Sequence, residues 1–558
     1  MAQVIKWSRC VHGRVLLICV LNTVMVLCSL GMTLVTKGLI DAAVSSRTDA
    51  LWHFGLLMVA LGLVDIALRF TLSLLRTHAS AKLQRSLQGG LVRDILLKEY
   101  ASLKSYHSGE LVNRVFSDTS AIKSGVLGIL PGIVSTAVSF IGAAAILIAL
   151  DWRFVLLLAG AGCIGTVIVT LFRKPMKERY TRMQKAEDKL HASIQETLEN
   201  IRLIKASISE KRVFRQIDSR QETMEKEQIR QGKFSAVMNN SMGLMFEFSW
   251  MFCMLWGSAA IFRGELTYGS LAAMIQLIGR VQGPIASAVS IAGELYRVIA
   301  STERLMALTD LPSETLGEPL KDFDEICIDH VTFRYEDGTD DVLRDISCRI
   351  QKGEFVALTG ASGGGKSSLF QLLLGIYTPN TGKVVFRNGS AETEACRESR
   401  ALFAYVPQGN TLFSGTLREN LTMFTDEATE EQIQEALRAA CLEDLAGEIG
   451  LDAELGERGV GISEGQAQRV AVARALLTHA PILLLDESTS ALDEETEARM
   501  LQNISAMRDK TCLIVTHRRA ALAICDYRLH LTEGKMARKT AFLTEQEEPC
   551  TIITESRN

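Results

Sequence analysis

A chain of 558 residues exceeds what a single hydrophobic core serves, so two or more domains are expected. Hydrophobic residues make up 47% and mean hydropathy is +0.16, high for a soluble protein and consistent with one lying partly in a membrane. A net charge of −4 leaves no basic footprint for nucleic acid, and twelve cysteines without a Cys-x-x-Cys pair point to reduced thiols rather than a disulfide framework or a zinc site.

The stretch Met1 to Arg14 carries Lys6, Arg9 and Arg14 before an apolar run, but no convincing small-residue cleavage site follows, so it reads as a retained cytosolic N-terminus. A bilayer-crossing helix needs about 20 mostly apolar residues. Six stretches qualify: Val15 to Val35, Leu51 to Leu75, Val126 to Leu150, Phe154 to Phe172, Val237 to Phe262 and Leu271 to Ile299, the last with a kink expected at Gly283-Pro284. Arg76, Lys82, Arg85 and Arg93 follow the second span, and Arg173, Lys174, Lys177 and Arg179 follow the fourth. With the basic N-terminus, these place both ends and two loops on the cytosolic side of a multi-pass cell-membrane protein.

Asp151-Trp-Arg153 alone joins the third and fourth spans, whereas Arg76 to Gly125 and Arg173 to Lys233 are long, charged and nearly free of proline. Those two loops read as helices continuing out of the membrane. At 1.5 Å per residue, about 30 residues out and 30 back reach roughly 45 Å. Residues 1–308 thus form an all-α six-helix transmembrane domain. A polar linker with two prolines follows at 309–322, containing Leu311 to Pro319. From 323 to 558, short β-like runs such as Ile326-Cys-Ile328 and Phe355-Val-Ala-Leu358 alternate with helix-like ones, as in an α/β domain with a mostly parallel sheet.

Between the strand Phe355 to Thr359 and the helix opening at Lys366 lies Gly360-Ala361-Ser362-Gly363-Gly364-Gly365-Lys366-Ser367-Ser368, a phosphate-loop motif in the context it requires. Its glycines let backbone N–H groups close around phosphates at a positive helix end. Lys366 suits the β/γ-phosphates of ATP, and the Ser367 hydroxyl suits Mg²⁺. The apolar strand Leu483-Leu-Leu-Asp486 ends in two acids. Asp486 can hold Mg²⁺, directly or through water, and Glu487 can orient or deprotonate an attacking water.

These motifs resemble those of the ATP-binding cassette (ABC) transporters, in particular exporter half-transporters, and the resemblance covers essentially the whole chain. It implies that Tyr335 stacks on adenine and that Gln408, in Val406-Pro-Gln408, meets Mg²⁺ and the membrane domain. It makes Leu455 to Gln466 the signature segment with the preceding Gly-Glu-Arg-Gly element, so that Ser463, Gly465 and Gln466 contact the γ-phosphate held by the opposing subunit. Asp493 matches the acid linking the two sites, and His517 the histidine that reaches the γ-phosphate. His107-Ser-Gly-Glu110 and the stretch near Asn200 resemble the tips of the cytosolic loops.

One position departs from the pattern. Glu464 stands where the signature commonly has glycine, adding negative charge near incoming phosphates. Because the signature acts in trans, a dimer is implied, either of two copies or with a related half-transporter. The expected function is ATP-driven export of a small amphipathic peptide, lipid or drug by alternating access. An importer on the same fold and a nucleotide-gated channel or regulatory subunit remain alternatives. For the cargo, Glu247 and Arg280 sit at membrane depth, where charges default to cavities or ion pairs; they either line a polar cavity or bridge two helices. Asp65 and Arg69, four apart, are placed to pair on one helix face.

Overall fold

The computed structural model describes residues 2–336, 338–425, 427–456, 461–507 and 510–540. Two compact units emerge, one from residues up to Ile95 together with Ser108–Asp310, the other from Leu96–His107 together with the described residues from Leu311 onward.

The first unit is helical throughout. Its long elements are His12–Val44, Thr48–Leu96, Leu130–Leu150, Trp152–Glu199, Glu210–Phe262 and Tyr268–Thr309, and each holds one of the six expected spans or most of it. Helices of 48 to 53 residues run far past the bilayer thickness, as the proline-poor charged stretches suggested. Four helical stretches, Arg9–Val44, Thr48–Leu96, Ser108–Leu150 and Glu210–Phe262, are long and apolar enough to cross a membrane among the described residues. The fourth and sixth expected spans include side chains, 157–169 and 284–290, that lie outside the described set.

One residue makes the turn between the third and fourth spans. Asp151 is extended, its carboxylate accepts from the Arg153 N–H at 3.0 Å, and its other oxygen accepts from the Trp256 indole at 2.9 Å. The cap therefore starts one helix while holding another. Leu30, Leu147, Phe154, Cys253, Met274 and Leu277 share the core between these helices. Trp52, Leu56, Leu63, Ile66 and Phe70 stay exposed along the second helix, an apolar surface suited to lipid rather than water. Asp65 and Arg69 pair at 2.6 Å as their spacing suggested.

Near its polar end this unit is locked by charge. Asp118, 4% exposed, accepts from the Ser301 hydroxyl at 2.9 Å and from Arg304 Nε at 3.0 Å, and buried Arg114 donates to the Arg304 carbonyl at 2.8 Å.

In the second unit a six-stranded sheet runs in the order Lys535–Thr540, Tyr527–Thr532, Phe355–Gly360, Thr511–Val515, Ile482–Asp486, Phe403–Val406. Every pairing is parallel except the terminal hairpin. Alternate residues feed two cores: Ala357, Leu483, Leu485 and Ile514 pack on the helix Glu464–Leu477, while Val356, Leu484, Leu513 and Val515 pack on Lys366–Leu373. A sheet covered on both faces needs strands that are apolar throughout, which Ile482–Asp486 and Phe355–Gly360 are up to their polar tips. A second, antiparallel sheet is built from Leu343–Gln351, Glu325–Phe333, Thr381–Asn388 and Ala391–Glu394.

Asp118→Asn leaves Arg304 without its anion. A fully buried broken pair costs about 3–5 kcal/mol; with Arg304 half-exposed, a loss of roughly 1–3 kcal/mol is expected. A thermal melt of the protein in lipid checks this, and an unchanged midpoint refutes it.

Candidate functional site

The strand Phe355–Gly360 delivers the phosphate loop to the sheet's C-terminal edge, and the helix Lys366–Leu373 leaves from it. Gly360, Gly363 and Gly365 all have positive φ. At Gly360 a Cβ would lie 2.2 Å from the Leu531 carbonyl oxygen, so only glycine fits there. Lys366 is 6% exposed and its ammonium donates to the carbonyls of Gly360 at 2.7 Å and Ala361 at 3.0 Å. The loop is thus closed on its own lysine.

Asp486 ends the neighbouring-but-one strand, buried to 4% exposure. Burial pushes its carboxyl pKa up, against the pull of the Ser367 hydroxyl and of Lys366. A buried carboxylate beside a hydroxyl is a hard-oxygen pair of the kind Mg²⁺ takes when phosphate and water complete its shell. Next to it, Glu487 adopts a left-handed φ of +49°, rare for a side-chain-bearing residue. Its carboxylate accepts from the Gln408 amide at 2.6 Å, bringing together two residues 79 apart in sequence.

The signature helix Glu464–Leu477 starts with a reciprocal cap: the Ser463 hydroxyl accepts from the Gln466 N–H at 3.2 Å, and the Gln466 side chain accepts from the Ser463 N–H at 2.7 Å. Glu464 is exposed in its first turn. A Cβ on Gly465 would meet the Ala491 carbonyl oxygen at 2.8 Å. Among the described residues, these side chains make no hydrogen bond to the phosphate loop. Of the preceding Gly-Glu-Arg-Gly element, Glu457, Arg458 and Gly459 lie outside the described residues. Asp493 caps the helix Glu494–Ser505, accepting from the Thr496 N–H at 2.9 Å, which holds its pKa below the usual range. His517 is exposed just beyond the strand Thr511–Val515.

Tyr335 is half-buried, its hydroxyl bonded to Ser368 at 2.9 Å and donating to Gln371 at 3.0 Å. Phe333 and Tyr377 pack edge-on against its ring.

Some side chains at this site went unnoticed in the sequence. Arg518 pairs with Glu497, itself 1% exposed, and donates to the carbonyls of Ser490 and Leu492, so it braces the segment leading to Asp493. Arg474 donates to the Thr411 carbonyl and hydroxyl beside the Gln408 loop. Lys104 stands over Tyr335. Adjacency of Arg518 to His517 was the one available hint; the rest are single residues of common types, far apart in the chain.

In the helical unit, Arg280 donates to the hydroxyl and carbonyl of Ser29, and Glu247 is exposed; no ion pair joins them among the described residues. A cavity of about 730 Å³ lies elsewhere, lined by Phe116, Asp118, Glu294, Arg297 and Arg304 among others. Asn200 ends the helix Trp152–Glu199, and His107 closes the segment that joins the second unit.

Residues 15–285 match the ABC transporter transmembrane region and residues 343–490 the ABC transporter family of ATP-binding domains. This chain belongs to the ABC transporters. It carries a helical transmembrane domain followed by an α/β nucleotide-binding domain, and so is an ATP-hydrolysing membrane transporter protein. One relative is the probable multidrug resistance ABC transporter ATP-binding/permease protein YheI of Bacillus subtilis (strain 168), 30% identical over 67% of this chain and 65% of that protein. This chain therefore matches about two thirds of that relative's length. Another is the multidrug resistance ABC transporter ATP-binding and permease protein of Lactococcus lactis subsp. lactis (strain IL1403), 29% identical over 77% of this chain and 74% of that protein. The fold is also that of a bacterial Atm1-family ABC exporter with ATP bound, at a TM-score of 0.79, 21% identity and 94% coverage of both chains.

Because burial raises the Asp486 pKa, the folded chain keeps this proton to a higher pH than the unfolded chain does. Asp486 therefore costs the nucleotide-free fold stability as pH rises through that raised value. Asp486→Asn is expected to raise the nucleotide-free thermal midpoint at neutral pH by roughly 2–4 °C, the shift of about 1 kcal/mol in such a domain. At acid pH, where the carboxyl already holds its proton, the two proteins should melt alike.

Proposed function

We infer that the protein exports an amphipathic substrate, a peptide, lipid or drug, across the cell membrane, driven by ATP in a dimer that alternates access between the two sides. The observation that carries the dimer is the isolation of the signature. Ser463 and Gln466 satisfy one another and, among the described residues, make no hydrogen bond to the phosphate loop, which supports a partner phosphate held by a second subunit. With Glu487 and His517 both present, two copies of this chain give two working sites. Both termini and the ATP-binding unit lie in the cytosol, on the strength of the basic residues after the second and fourth spans.

In this reading ATP enters against Tyr335. Lys366 then exchanges the Gly360 and Ala361 carbonyls for the β/γ-phosphates, a swap of neutral acceptors for charged ones. The loop amides of Ser362 to Ser368 close around the same phosphates. Ser367 and Asp486, with Gln408, would hold Mg²⁺, which when bound would supply positive charge against the phosphates. Gln408 holds the Glu487 carboxylate in place, ready to take a proton from the attacking water. His517 and the partner's signature close on the γ-phosphate, and Asp493 links one site to the other. ATP joins the two subunits and hydrolysis removes the bridge, which biases the helices between two arrangements. Glu247 and Arg280 are the charged contacts offered to cargo.

Inside-out vesicles provide the test. ATP should drive a fluorescent amphipathic cargo into the lumen, and Lys366→Ala and Glu487→Gln should each cut both uptake and ATP hydrolysis by at least about 10²-fold, an effect typical of general-base loss. Neutralising Glu247 and Arg280 together should change cargo preference while leaving basal hydrolysis intact. ATP-driven loss of cargo from the lumen instead identifies an importer.

A further inference from the structure

The segment Leu96–His107 joins the long helix Thr48–Leu96 to the helix Ser108–Asn113, yet it packs as part of the ATP-binding unit. It is stitched to the linker: the Glu99 N–H donates to the Pro312 carbonyl at 3.1 Å, the Glu314 N–H to the Leu97 carbonyl at 2.9 Å, and the Lys98 ammonium to the Ser313 hydroxyl at 3.0 Å. It is also attached to the aromatic cluster around Tyr335. Tyr100 meets Tyr377 edge-on at 6.1 Å, and the Lys104 ammonium stands 4.2 Å above the centre of the Tyr335 ring and 5.8 Å from that of Tyr377.

The ring under Lys104 is fixed. Its hydroxyl is tied to Ser368 and Gln371 on the helix that begins at the phosphate loop, and Phe333 and Tyr377 pack edge-on against it. It cannot swing aside to make room. A base stacked on this face would lie about 3.5–4 Å from it, the layer that the ammonium already fills. Lys104 is exposed, so it loses little by moving to water, but it gives up its attraction to the tyrosine face when it does.

The geometry points to Lys104 as a displaceable cap on the adenine platform: it and a purine base compete for one face of Tyr335, and its hold on that face weakens nucleotide binding. The proposal rests on Tyr335 being that platform. Arrival of the base frees Lys104 from the ring, and with it one attachment of Leu96–His107. The only input is a purine nucleotide, recognised by the stacking face of its base and not by its phosphates.

The test separates base from phosphate. Full-length protein in lipid nanodiscs, carrying Glu487→Gln so that bound nucleotide persists, is titrated with ATP and with inorganic tripolyphosphate, which has no base. Lys104→Ala is expected to tighten ATP about 2–5-fold, the value of an exposed cation over an aromatic face. Lys104→Arg, which keeps a cation there, should bind ATP no more tightly than the parent. Tripolyphosphate should bind all three equally, and in a Tyr335→Leu background Lys104→Ala should no longer alter ATP affinity. Unchanged ATP affinity in Lys104→Ala overturns the proposal, because the base then stacks elsewhere. Weakening of ATP and tripolyphosphate together also overturns it, because Lys104 then serves the phosphates by charge. Failure of the parent to bind ATP at all would instead sink the nucleotide-site reading itself.

Discussion

Two opposite charges withdrawn from water at one edge of an apolar sheet set the terms for this protein. Asp486 and Lys366 are both more than nine-tenths buried, and each is only provisionally satisfied, the acid by a serine hydroxyl, the base by two loop carbonyls. Holding them there costs stability that the surrounding cores must offset. Under the proposed function the arrangement is that of a receptor: neutral partners stand in for charged ones that arrive with the ligand, and the binding energy of nucleotide is available because the empty state is not at its electrostatic optimum. Strands with every side chain buried, feeding a core on each face, are what make such an edge rigid enough to keep the charges apart.

The same logic extends outward from the edge. Glu487 holds a left-handed backbone and is met by the Gln408 amide, so a strained residue is oriented before any substrate is present. Arg518, anchored on the buried Glu497, fixes the turn that carries Asp493. Against this preparation, the signature helix stands apart, its capping box closed on itself.

The helical unit is organised by different forces. Its long helices gain from burying apolar faces against each other and leave further apolar surface for lipid. Polar contacts add to this: Asp151 caps one helix and holds another, and Asp118 gathers Ser301 and Arg304.

Much of this was legible in the chain itself. Apolar runs of bilayer length, separated by very short or very long connections, specify six helices and their projections, because hydrophobic length and helix propensity are local properties. The phosphate loop, the acid pair after Leu485 and the capping serine of the signature were equally legible, since glycine at a positive φ, a carboxylate at a strand tip and a serine before a helix are each dictated by neighbours in sequence. Pairings between distant parts of the chain were not. Gln408 with Glu487, Arg518 with Glu497, Arg280 with Ser29 and Lys104 over Tyr335 join residues of ordinary type across 21 to 251 positions. No periodicity encodes such contacts; they exist because the sheet order brings strand ends together and because the chain between two long helices is folded into the ATP-binding unit.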